Sequence, residues 1–272
     1  MLVEAGSGHS AGPLGMADIF TALYFEVLNH RPKQPDWPDR DVLILSNGHI
    51  VPVRYATMAR VGYFPVSELM TLRKLGSRLQ GHPERTKLPG METTSGPLGS
   101  GLSQASGIAY AMRMDGQRHR FVYCLMGDGE QDEGNIWEAA MFAGKNKLAN
   151  LIAITDRNNI QIDGPTETVM PLDDLRAKWE AFGWYVLEMN GHDFPDILNT
   201  LAEAKAIESK PVMILAHTIP GKGVDFMEYD YHWHGNPPGT LEVAGEPAKE
   251  DQVRIALNEL RTLGGRIKSE HE

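Results

Sequence analysis

The residues of this sequence best suited to chemistry are two short polar segments, each placed directly behind an apolar run. A Gly-Asp-Gly turn at 127–129 follows one run, and Asn158 follows the next, 30 residues after Asp128. Glycines beside one acid let a backbone approach a phosphate closely, and the acid suits such a place if a hard cation lies between them. Carboxylate and amide oxygens belong to the near-octahedral oxygen shell of Mg²⁺. The spacing therefore favours a metal-diphosphate site over two unrelated turns.

The elements that must position these residues are strands and helices in alternation. Short, near-continuous apolar runs are typical of strands covered on both faces, and they lie at Val42–Leu45, 121–126, 151–155, 184–188 and 212–216. Helix signals occupy Val51–Val61, 98–114, 134–147, 172–182 and 194–208. The alternation predicts an α/β fold: a parallel sheet with helices on both faces and right-handed crossovers. In such a sheet ligands bind beyond the carboxyl ends of the strands, where Asp128 and Asn158 stand.

Three stretches lie outside this alternation. Residues 76–100 are long for a connection within one domain, which favours a functional loop, and residues 218–239 are rich in Gly, Pro, His and aromatic residues. Apolar positions spaced at three and four residues predict an amphipathic helix at 250–263. We find neither an internal repeat nor a linker, so we expect one domain over residues 1–272 with a C-terminal helix.

The composition excludes several classes of function. Lys and Arg number 26 against 36 Asp and Glu, a formal net charge of −10, which disfavours nucleic acid and anionic membrane surfaces as partners. The single cysteine, Cys124, excludes an internal disulfide and a cysteine-built zinc site, and it suits a reducing compartment. No apolar run approaches the roughly 20 residues that span a bilayer, and the first residues lack the pattern of a signal peptide. We therefore expect a cytoplasmic protein.

Further motifs surround the two polar segments. They read Gly6-Ser7-Gly8-His9, Ser46-Asn47-Gly48-His49, Gly81-His82-Pro83-Glu84, TTSGPLGSG at 93–101, Glu133-Gly134 with Trp137-Glu138, and His234-Gly235. Together with Asp128 and Asn158 they resemble, in order, the motifs of the transketolase family. The resemblance covers nearly the whole chain, but only the first third of a full-length transketolase, the domain that holds the cofactor diphosphate.

The resemblance implies two cofactors, thiamine diphosphate and Mg²⁺. Asp128, Asn158 and the carbonyl of Ile160 resemble the ligands of the cation. Other residues resemble the family's contacts to the diphosphate, the pyrimidine and the thiazolium: His49, Gly96, Leu98, Gly127, Gly129 and His234.

Three histidines are implied as catalytic residues. His9 and His82 resemble the histidines of the substrate channel that bind sugar hydroxyls and move protons, and His234 resembles an imidazole at the diphosphate. The unperturbed pKa of imidazole, near 6.5, makes both protonation states available at neutral pH. A metal cluster of His217, His232 and His234 is a weaker alternative, because no cysteine or carboxylate stands at ligand spacing.

The resemblance also implies a partner. Thiamine diphosphate chemistry needs an acid beside the pyrimidine, and in this family that acid lies on a second domain, contributed across a subunit interface. We expect this chain to be the N-terminal subunit of a split transketolase, inactive alone and paired with a C-terminal subunit in a heterotetramer. It would transfer a two-carbon ketol unit from a ketose phosphate to an aldose phosphate.

Two features bear on the expected interface. Glu133 and Glu138 resemble acids buried between subunits, although a solvated helix face is the plain alternative. Gly99, Ser103, Gly107 and Ala111 recur every four residues, so one helix face carries only small side chains. Such a face allows close packing against the sheet or against another subunit.

The chain departs from the family pattern at three places. Only residues 1–5 precede the Gly-Ser-Gly-His motif, so the first helix is expected to be short or incomplete. Ser10 and Ala11 replace a common Pro-Gly pair, and Pro220 stands where Lys is frequent. The last change allows an altered donor or acceptor specificity.

Three other functions compete with this interpretation. The chain could be half of a deoxyxylulose-phosphate synthase or the alpha chain of a 2-oxoacid dehydrogenase, but the histidines His9, His49 and His82 suit sugar hydroxyls better. It could be a non-catalytic cofactor-binding protein, which would hold cofactor tightly without a partner. A Mg²⁺ phosphohydrolase with Asp128 as nucleophile would need a second acid close in sequence, and Asp132 is the nearest candidate.

Overall fold

A five-stranded parallel sheet forms the centre of the molecule. The computed structural model describes residues 1–117 and 119–262. The strands of the sheet are β1 Val42–Leu45, β2 Val122–Gly127, β3 Leu151–Arg157, β6 Tyr185–Asn190 and β7 Val212–His217, and a separate antiparallel ribbon pairs β4 Ile160–Gln161 with β5 Gly164–Pro165. The sheet order is β1-β2-β3-β7-β6, and every neighbouring pair is parallel. The predicted parallel α/β fold is confirmed.

Helices cover both faces of this sheet. The α-helices of the described part of the chain are α1 Leu2–Ala5, α2 Ala11–Gly15, α3 Ala17–Ala22, α4 Val51–Val61, α5 Ser100–Met114, α6 Gly134–Asn146, α7 Thr166–Val169, α8 Leu175–Ala181, α9 Phe194–Ala206 and α10 Lys249–Thr262. Helices α3, α4 and α9 contribute to the hydrophobic core on one face, and α5, α6 and α8 to the core on the other. Burial of both faces explains why the central strands read as continuous apolar runs.

Local sequence explains where several helices begin and end. The side chain of Asp193 accepts a hydrogen bond from Asp196 N, so the predicted start of α9 is confirmed. Helix α5 begins at Ser100, two residues later than predicted, because Gly99 has the left-handed backbone angle φ of 82° that ends the preceding turn. Helix α6 ends at Asn146, since Lys147 also takes a left-handed conformation (φ 49°).

Strand β6 differs from the prediction that all strands are covered on both faces. Val186 is buried in the core on one face and Met189 in the core on the other, whereas Tyr185, Glu188 and Asn190 are exposed. β6 is one of the two edge strands and pairs only with β7, so its cover is partial on both faces.

The irregular stretches and the C-terminal helix follow the prediction. No helix or strand of the described residues interrupts the segment 72–99, and the segment 218–239 holds only the 3₁₀ turn Tyr231–Trp233. Helix α10 covers most of the predicted range, while residue 263 lies outside the described residues. None of the helices that the structure describes is both long and apolar enough to cross a membrane.

Candidate functional site

A cavity of about 260 Å³ lies beyond the carboxyl ends of β1, β2 and β3. Its wall contains nine of the eleven site residues expected from the sequence: His9, His49, Leu98, Gly127, Asp128, Gly129, Asn158, Ile160 and His234. They come from six separate stretches of the chain. The parallel register brings them together, because Gly127 at the end of β2 pairs with Asp156 at the end of β3.

Asp128 is the buried carboxylate of this wall. Its Oδ1 accepts a hydrogen bond from Gly129 N (2.7 Å), and its Oδ2 accepts from Asn159 N (2.7 Å) and from the Arg157 guanidinium (3.1 Å). Burial raises the pKa of Asp128, although Arg157 and the two backbone donors act in the opposite direction. Because burial outweighs Arg157 and the two backbone donors, a further positive charge in the cavity would stabilise the ionised form of this carboxylate.

Asn158 presents its amide oxygen from the neighbouring strand end. Its Nδ2 donates to Asp156 Oδ2 (2.9 Å), which fixes the orientation of the amide, and its Oδ1 accepts from Ile160 N (3.0 Å). The left-handed conformation of Asn159 (φ 64°) turns the chain between Asn158 and Ile160. Asp128 N also donates to Asp156 O (3.1 Å), so the two strand ends are tied directly together.

The residues present fit a divalent cation with a diphosphate. Asp128, Asn158 and the Ile160 carbonyl offer oxygen atoms alone, which is the donor chemistry of Mg²⁺. Three buried polar atoms of cavity-lining residues have no hydrogen-bond partner in the protein: His9 Nδ1, Asn47 Oδ1 and His234 Nδ1. Since buried polar atoms are nearly always paired, such atoms indicate a polar ligand in the cavity.

Three imidazole rings form one side of the cavity. The ring centroids of His9 and His49 are 4.7 Å apart, those of His49 and His234 5.2 Å, and those of His9 and His234 5.4 Å. Burial lowers the pKa of His9 and of His234 to about 4, and it lowers that of His49 well below its ordinary value. At neutral pH all three rings are therefore uncharged, and each has one nitrogen that donates and one that accepts.

His82 and Gly96 are not among the residues that line the cavity. His82 nonetheless lies near the imidazoles, because its charge contributes to lowering the pKa of His9 and of His49. Burial, followed by the nearby Arg73, lowers the pKa of His82 itself. Gly96 precedes the exposed Leu98 of the wall by two residues, and a Cβ at Gly96 would contact nothing within 4 Å.

Two buried acids of the wall were missed by the sequence reasoning. Burial and the charge of Asp128 raise the pKa of Asp156 to about 7, although Thr218 and Asn158 donate hydrogen bonds to it. Glu130 lies in the turn that follows Asp128 and accepts hydrogen bonds from three segments. The position of Asp156 directly behind an apolar run was a usable signal, whereas nothing in the sequence distinguished Glu130 from a solvated acid.

The alternative histidine metal cluster is wrong. Among residues 1–117 and 119–262, no three His, Cys, Asp or Glu side chains are grouped so as to hold a metal ion. His217 pairs with Glu188 and His232 with Asp230, so the two histidines have different partners. Asp128 and Asn158 remain the candidate metal ligands. Their set of oxygen donors consists of one carboxylate, one side-chain amide and the backbone carbonyl of Ile160, so it is not a cluster of His, Cys, Asp and Glu side chains.

The features expected at an interface lie on the outside of this chain. Glu133 and Glu138 are exposed, as are Ser103, Gly107 and Ala111 on α5, whereas Gly99, the first residue of the predicted face, is buried. The face of small side chains therefore does not pack against the sheet. This face was expected to pack either against the sheet or against another subunit, and only the second alternative is compatible with its exposure.

Comparison with known proteins gives a consistent set of relatives. Residues 1–251 match the family described as "Transketolase, thiamine diphosphate binding domain". The 6-deoxy-6-sulfo-D-fructose transketolase subunit SqwG of Clostridium sp. (strain MSTE9) is 46% identical over 261 residues, 96% of this chain and 91% of that protein. An apulose-4-phosphate transketolase subunit of Phocaeicola vulgatus is 43% identical over 264 residues, 97% of this chain and 93% of that protein.

Solved structures of longer chains share the fold. The transketolase from Leishmania mexicana matches with a TM-score of 0.82 and 37% identity, over 87% of this chain and 37% of that chain. The transketolase from Pichia stipitis in complex with sedoheptulose-7-phosphate matches with a TM-score of 0.83 and 32% identity, over 95% of this chain and 42% of that chain. This chain thus spans about two-fifths of those chains, and more than nine-tenths of the two subunits named above.

Proposed function

The chain belongs to the transketolase family, and we propose that it is the thiamine diphosphate-binding subunit of a transketolase built from two kinds of subunit. The observation that carries the proposal is the cavity in which Asp128, Asn158 and three neutral imidazoles meet at the strand ends. The match of residues 1–251 to the family's cofactor-binding domain supports it. We further propose that residues 1–272 form a single domain.

Asp128, Asn158 and the Ile160 carbonyl would hold Mg²⁺, and the turn Gly127–Gly129 would face the diphosphate. A Cβ at Gly129 would lie 2.7 Å from the Gln161 side chain, so the backbone there is already in close contact on one side. When bound, thiamine diphosphate supplies the electron sink that allows a carbon–carbon bond beside a ketose carbonyl to break. The protein holds the cation and orients the groups around it.

The imidazoles would serve the sugar and its protons. His9 and His234 each keep one buried Nδ1 without a protein partner, and both rings are neutral at pH 7. A neutral imidazole can donate a hydrogen bond to one hydroxyl and accept one from another. We propose that His9 and His82 bind substrate hydroxyls and transfer protons, while His49 and His234 contact the diphosphate.

The partner is proposed from the kind of relative that this chain matches. The relatives from Clostridium and Phocaeicola, which it covers almost fully, are both named as transketolase subunits, and not as whole transketolases. We propose a C-terminal subunit that supplies the pyrimidine-side acid, with two copies of each chain in the complex. The outward-facing small residues of α5 are consistent with a second chain at that face.

The substrates are proposed as a ketose phosphate donor and an aldose phosphate acceptor. The relatives carry names that specify 6-deoxy-6-sulfofructose and apulose 4-phosphate as their substrates. A donor panel for this protein should therefore contain both compounds beside xylulose 5-phosphate. The preferred donor will show whether the sulfonated, the branched or the ordinary sugar fits.

The proposal is tested by reconstitution. The chain is assayed for ketol transfer to ribose 5-phosphate with Mg²⁺ and thiamine diphosphate, alone and mixed with a C-terminal transketolase subunit from the same genome. We expect turnover only in the mixture, with a loss of at least about a hundredfold in Asp128→Ala, since a charged metal ligand is removed. Asp115→Asn, an exposed acid just after α5, serves as the matched control and should retain full activity.

Calorimetry separates this function from a cofactor-binding protein that works without a partner. A half-site should bind thiamine diphosphate weakly until the second subunit covers the pyrimidine. Tight binding by the chain alone, with no turnover in any mixture, would overturn the proposal.

A further inference from the structure

Glu130 joins the three segments that surround the cofactor cavity. Its Oε1 accepts hydrogen bonds from the Ser46 hydroxyl and from Gly99 N (2.7 Å), and its Oε2 accepts from Gly127 N (3.0 Å). We propose that Glu130 is a positioning residue that sets the relative places of these three segments. The inference rests on the function proposed above, because it assigns Glu130 a role in shaping that same site.

Each of the three donors belongs to a segment with an expected cofactor contact. Ser46 begins the segment that carries His49, Gly99 directly follows Leu98, and Gly127 begins the turn that carries Asp128. Sheet pairing already joins the Ser46 and Gly127 segments, because Ser46 N donates to Leu125 O (2.8 Å) next to the β1–β2 pair, but it does not join the Gly99 segment to them. One carboxylate in the middle does so with three hydrogen bonds.

The surroundings of Glu130 make those hydrogen bonds indispensable. The residue is 2% exposed, and its hydrogen-bond partners are a hydroxyl and backbone amides, none of them a cation. An unpaired buried carboxylate is costly, and a carboxylate that accepts several hydrogen bonds is far less so. The donors in turn would remain unpaired without Glu130.

Close packing around Glu130 leaves little room for the segments to shift. A Cβ at Gly101 would lie 2.4 Å from Ser46 Cβ, and Gly101 N donates to Ser46 Oγ (3.0 Å). A Cβ at Gly99 would lie 2.7 Å from Glu133 Cβ. Ser46 therefore relays the position of Glu130 to the first turn of α5.

Glu130 acts through these segments and not by direct proton chemistry. Its Oε1 has both lone-pair directions occupied by Ser46 and Gly99, and its Oε2 is held by Gly127. An acid of this kind influences cofactor binding more than turnover at saturating cofactor. That difference distinguishes positioning from catalysis.

The test uses Glu130→Gln, which keeps the size of the side chain. Glutamine has one acceptor oxygen and one NH₂ group, so its NH₂ must face at least one of the three donors. We expect amide hydrogen exchange in the chain without cofactor to become faster at Gly99 or at Gly127, whichever amide faces the NH₂ group. We also expect the calorimetric dissociation constant for Mg²⁺–thiamine diphosphate, measured on the reconstituted complex, to rise about tenfold to a hundredfold.

A matched variant and a milder one complete the design. Glu180→Gln changes an exposed acid of α8 and should alter neither measurement. Ser46→Ala keeps the carboxylate and removes one donor, so it should raise the dissociation constant by a smaller factor and speed exchange at Gly101. It also keeps the inference testable if Glu130→Gln fails to fold.

The outcomes are distinguishable from failure of the proposed function. If the unaltered complex binds no thiamine diphosphate, the proposed function fails, while the exchange measurement still reports on Glu130. If the complex binds cofactor and Glu130→Gln binds it equally well, with unchanged exchange at Gly99 and Gly127, the positioning role is overturned. A fall in turnover at saturating cofactor, with binding unchanged, would overturn it in favour of a catalytic role.

Discussion

At the scale of residues, the cavity wall combines groups whose pKa values are shifted by burial in opposite directions. His9 and His234 are buried and neutral, with a pKa of about 4. Asp156 is buried among acids and has a pKa of about 7. Each shift couples protonation to folding, because the same group in the unfolded chain has its ordinary pKa.

We predict that Asp156→Asn makes stability fall more steeply between pH 6.5 and pH 4. The histidines have a lower pKa in the folded chain than the ordinary 6.5, so their contribution to stability is lost as the pH falls through this window. Asp156 has a higher pKa than the ordinary 3.8, so its contribution is complete below about pH 4 and is lost as the pH rises towards 7. It therefore offsets the histidines, and the variant lacks that offset. Urea unfolding at several pH values measures both slopes, and equal slopes would contradict the prediction.

A site residue could be predicted from the sequence where the residues next to it in the chain indicate its place in the fold. Asp128 and Asn158 stand directly behind apolar strands, where ligands of parallel sheets bind. Glu130 and Arg157 were not predictable, since their importance comes from contacts with segments that are distant in sequence or from burial. In the sequence alone, a buried Glu or Arg with such contacts looks the same as an exposed one.

At the scale of elements, helix α4 anchors the long irregular segment that carries His82, Gly96 and Leu98. The guanidinium of the fully buried Arg54 contacts Glu92, Gly90 O (3.1 Å) and Tyr24 Oη (2.9 Å). The neighbouring Tyr55 donates to Gln80 O (3.0 Å). Side chains from one regular element thus replace the backbone hydrogen bonds that the segment lacks.

Arg54→Met is expected to destabilise the chain by about 3–5 kcal/mol, because it leaves the buried Glu92 with fewer partners. Arg40 also contacts Glu92, so part of that charge stays neutralised. The double variant Arg54→Met with Glu92→Leu removes both charges and should recover part of the loss. Chemical denaturation of the two variants gives the comparison. A double variant no more stable than the single one would count against the ion pair as the cause.

Helix α6 packs so closely that its interior glycine cannot be replaced. A Cβ at Gly144 would lie 2.0 Å from Phe182 O, whereas a Cβ at Gly107 on the exposed face of α5 would meet nothing within 4 Å. Gly144→Ala should therefore cost about 1–3 kcal/mol through overpacking. Gly107→Ala should stabilise the chain by about 0.5–1 kcal/mol through helix propensity. Thermal unfolding of both variants tests the opposite signs.

The order of helices and strands along the chain could be predicted, but the residues at which they begin and the order of the strands in the sheet were less predictable. Short stretches of consecutive apolar residues identified the central strands, because a strand that is buried on both faces has apolar residues at successive positions. β6 carried a similar run yet lies at the sheet edge, and sheet order depends on crossovers that no local pattern records. The start of α5 was missed by two residues because one glycine conformation decides it.

At the scale of the whole molecule, a third and smaller hydrophobic cluster connects the C-terminal helix to the site. Ala256 of α10 is buried in this cluster with Trp233 and Ile160, which are neighbours of His234 and Asn158. The fully buried Gln252 of α10 accepts from Gly239 N (2.9 Å) and donates to Leu241 O (2.9 Å) and Pro247 O (3.0 Å). The helix thereby fixes the irregular segment that follows His234.

Gln252→Leu should loosen that segment without changing the volume of the core. Three backbone groups lose their partners, which costs about 1–3 kcal/mol for each group that stays buried and unpaired. We expect lower stability and weaker binding of thiamine diphosphate by the reconstituted complex. Gln34→Leu, at an exposed position before β1, is the control and should affect neither. Unchanged cofactor binding in Gln252→Leu would show that α10 does not support the site.

The position of the single cysteine allows its reactivity to report how often the central sheet opens. Cys124 lies in β2 inside the sheet, is fully buried, and has a pKa raised well above the ordinary value by that burial. The thiolate is the form that attacks thiol reagents, so the folded chain, whose thiol is buried and protonated, should be inert to them. A disulfide reagent in excess should modify Cys124 only when the central sheet separates. The rate of modification then measures how often the whole sheet opens, and its change when the partner chain is added gives the kinetic protection conferred by assembly.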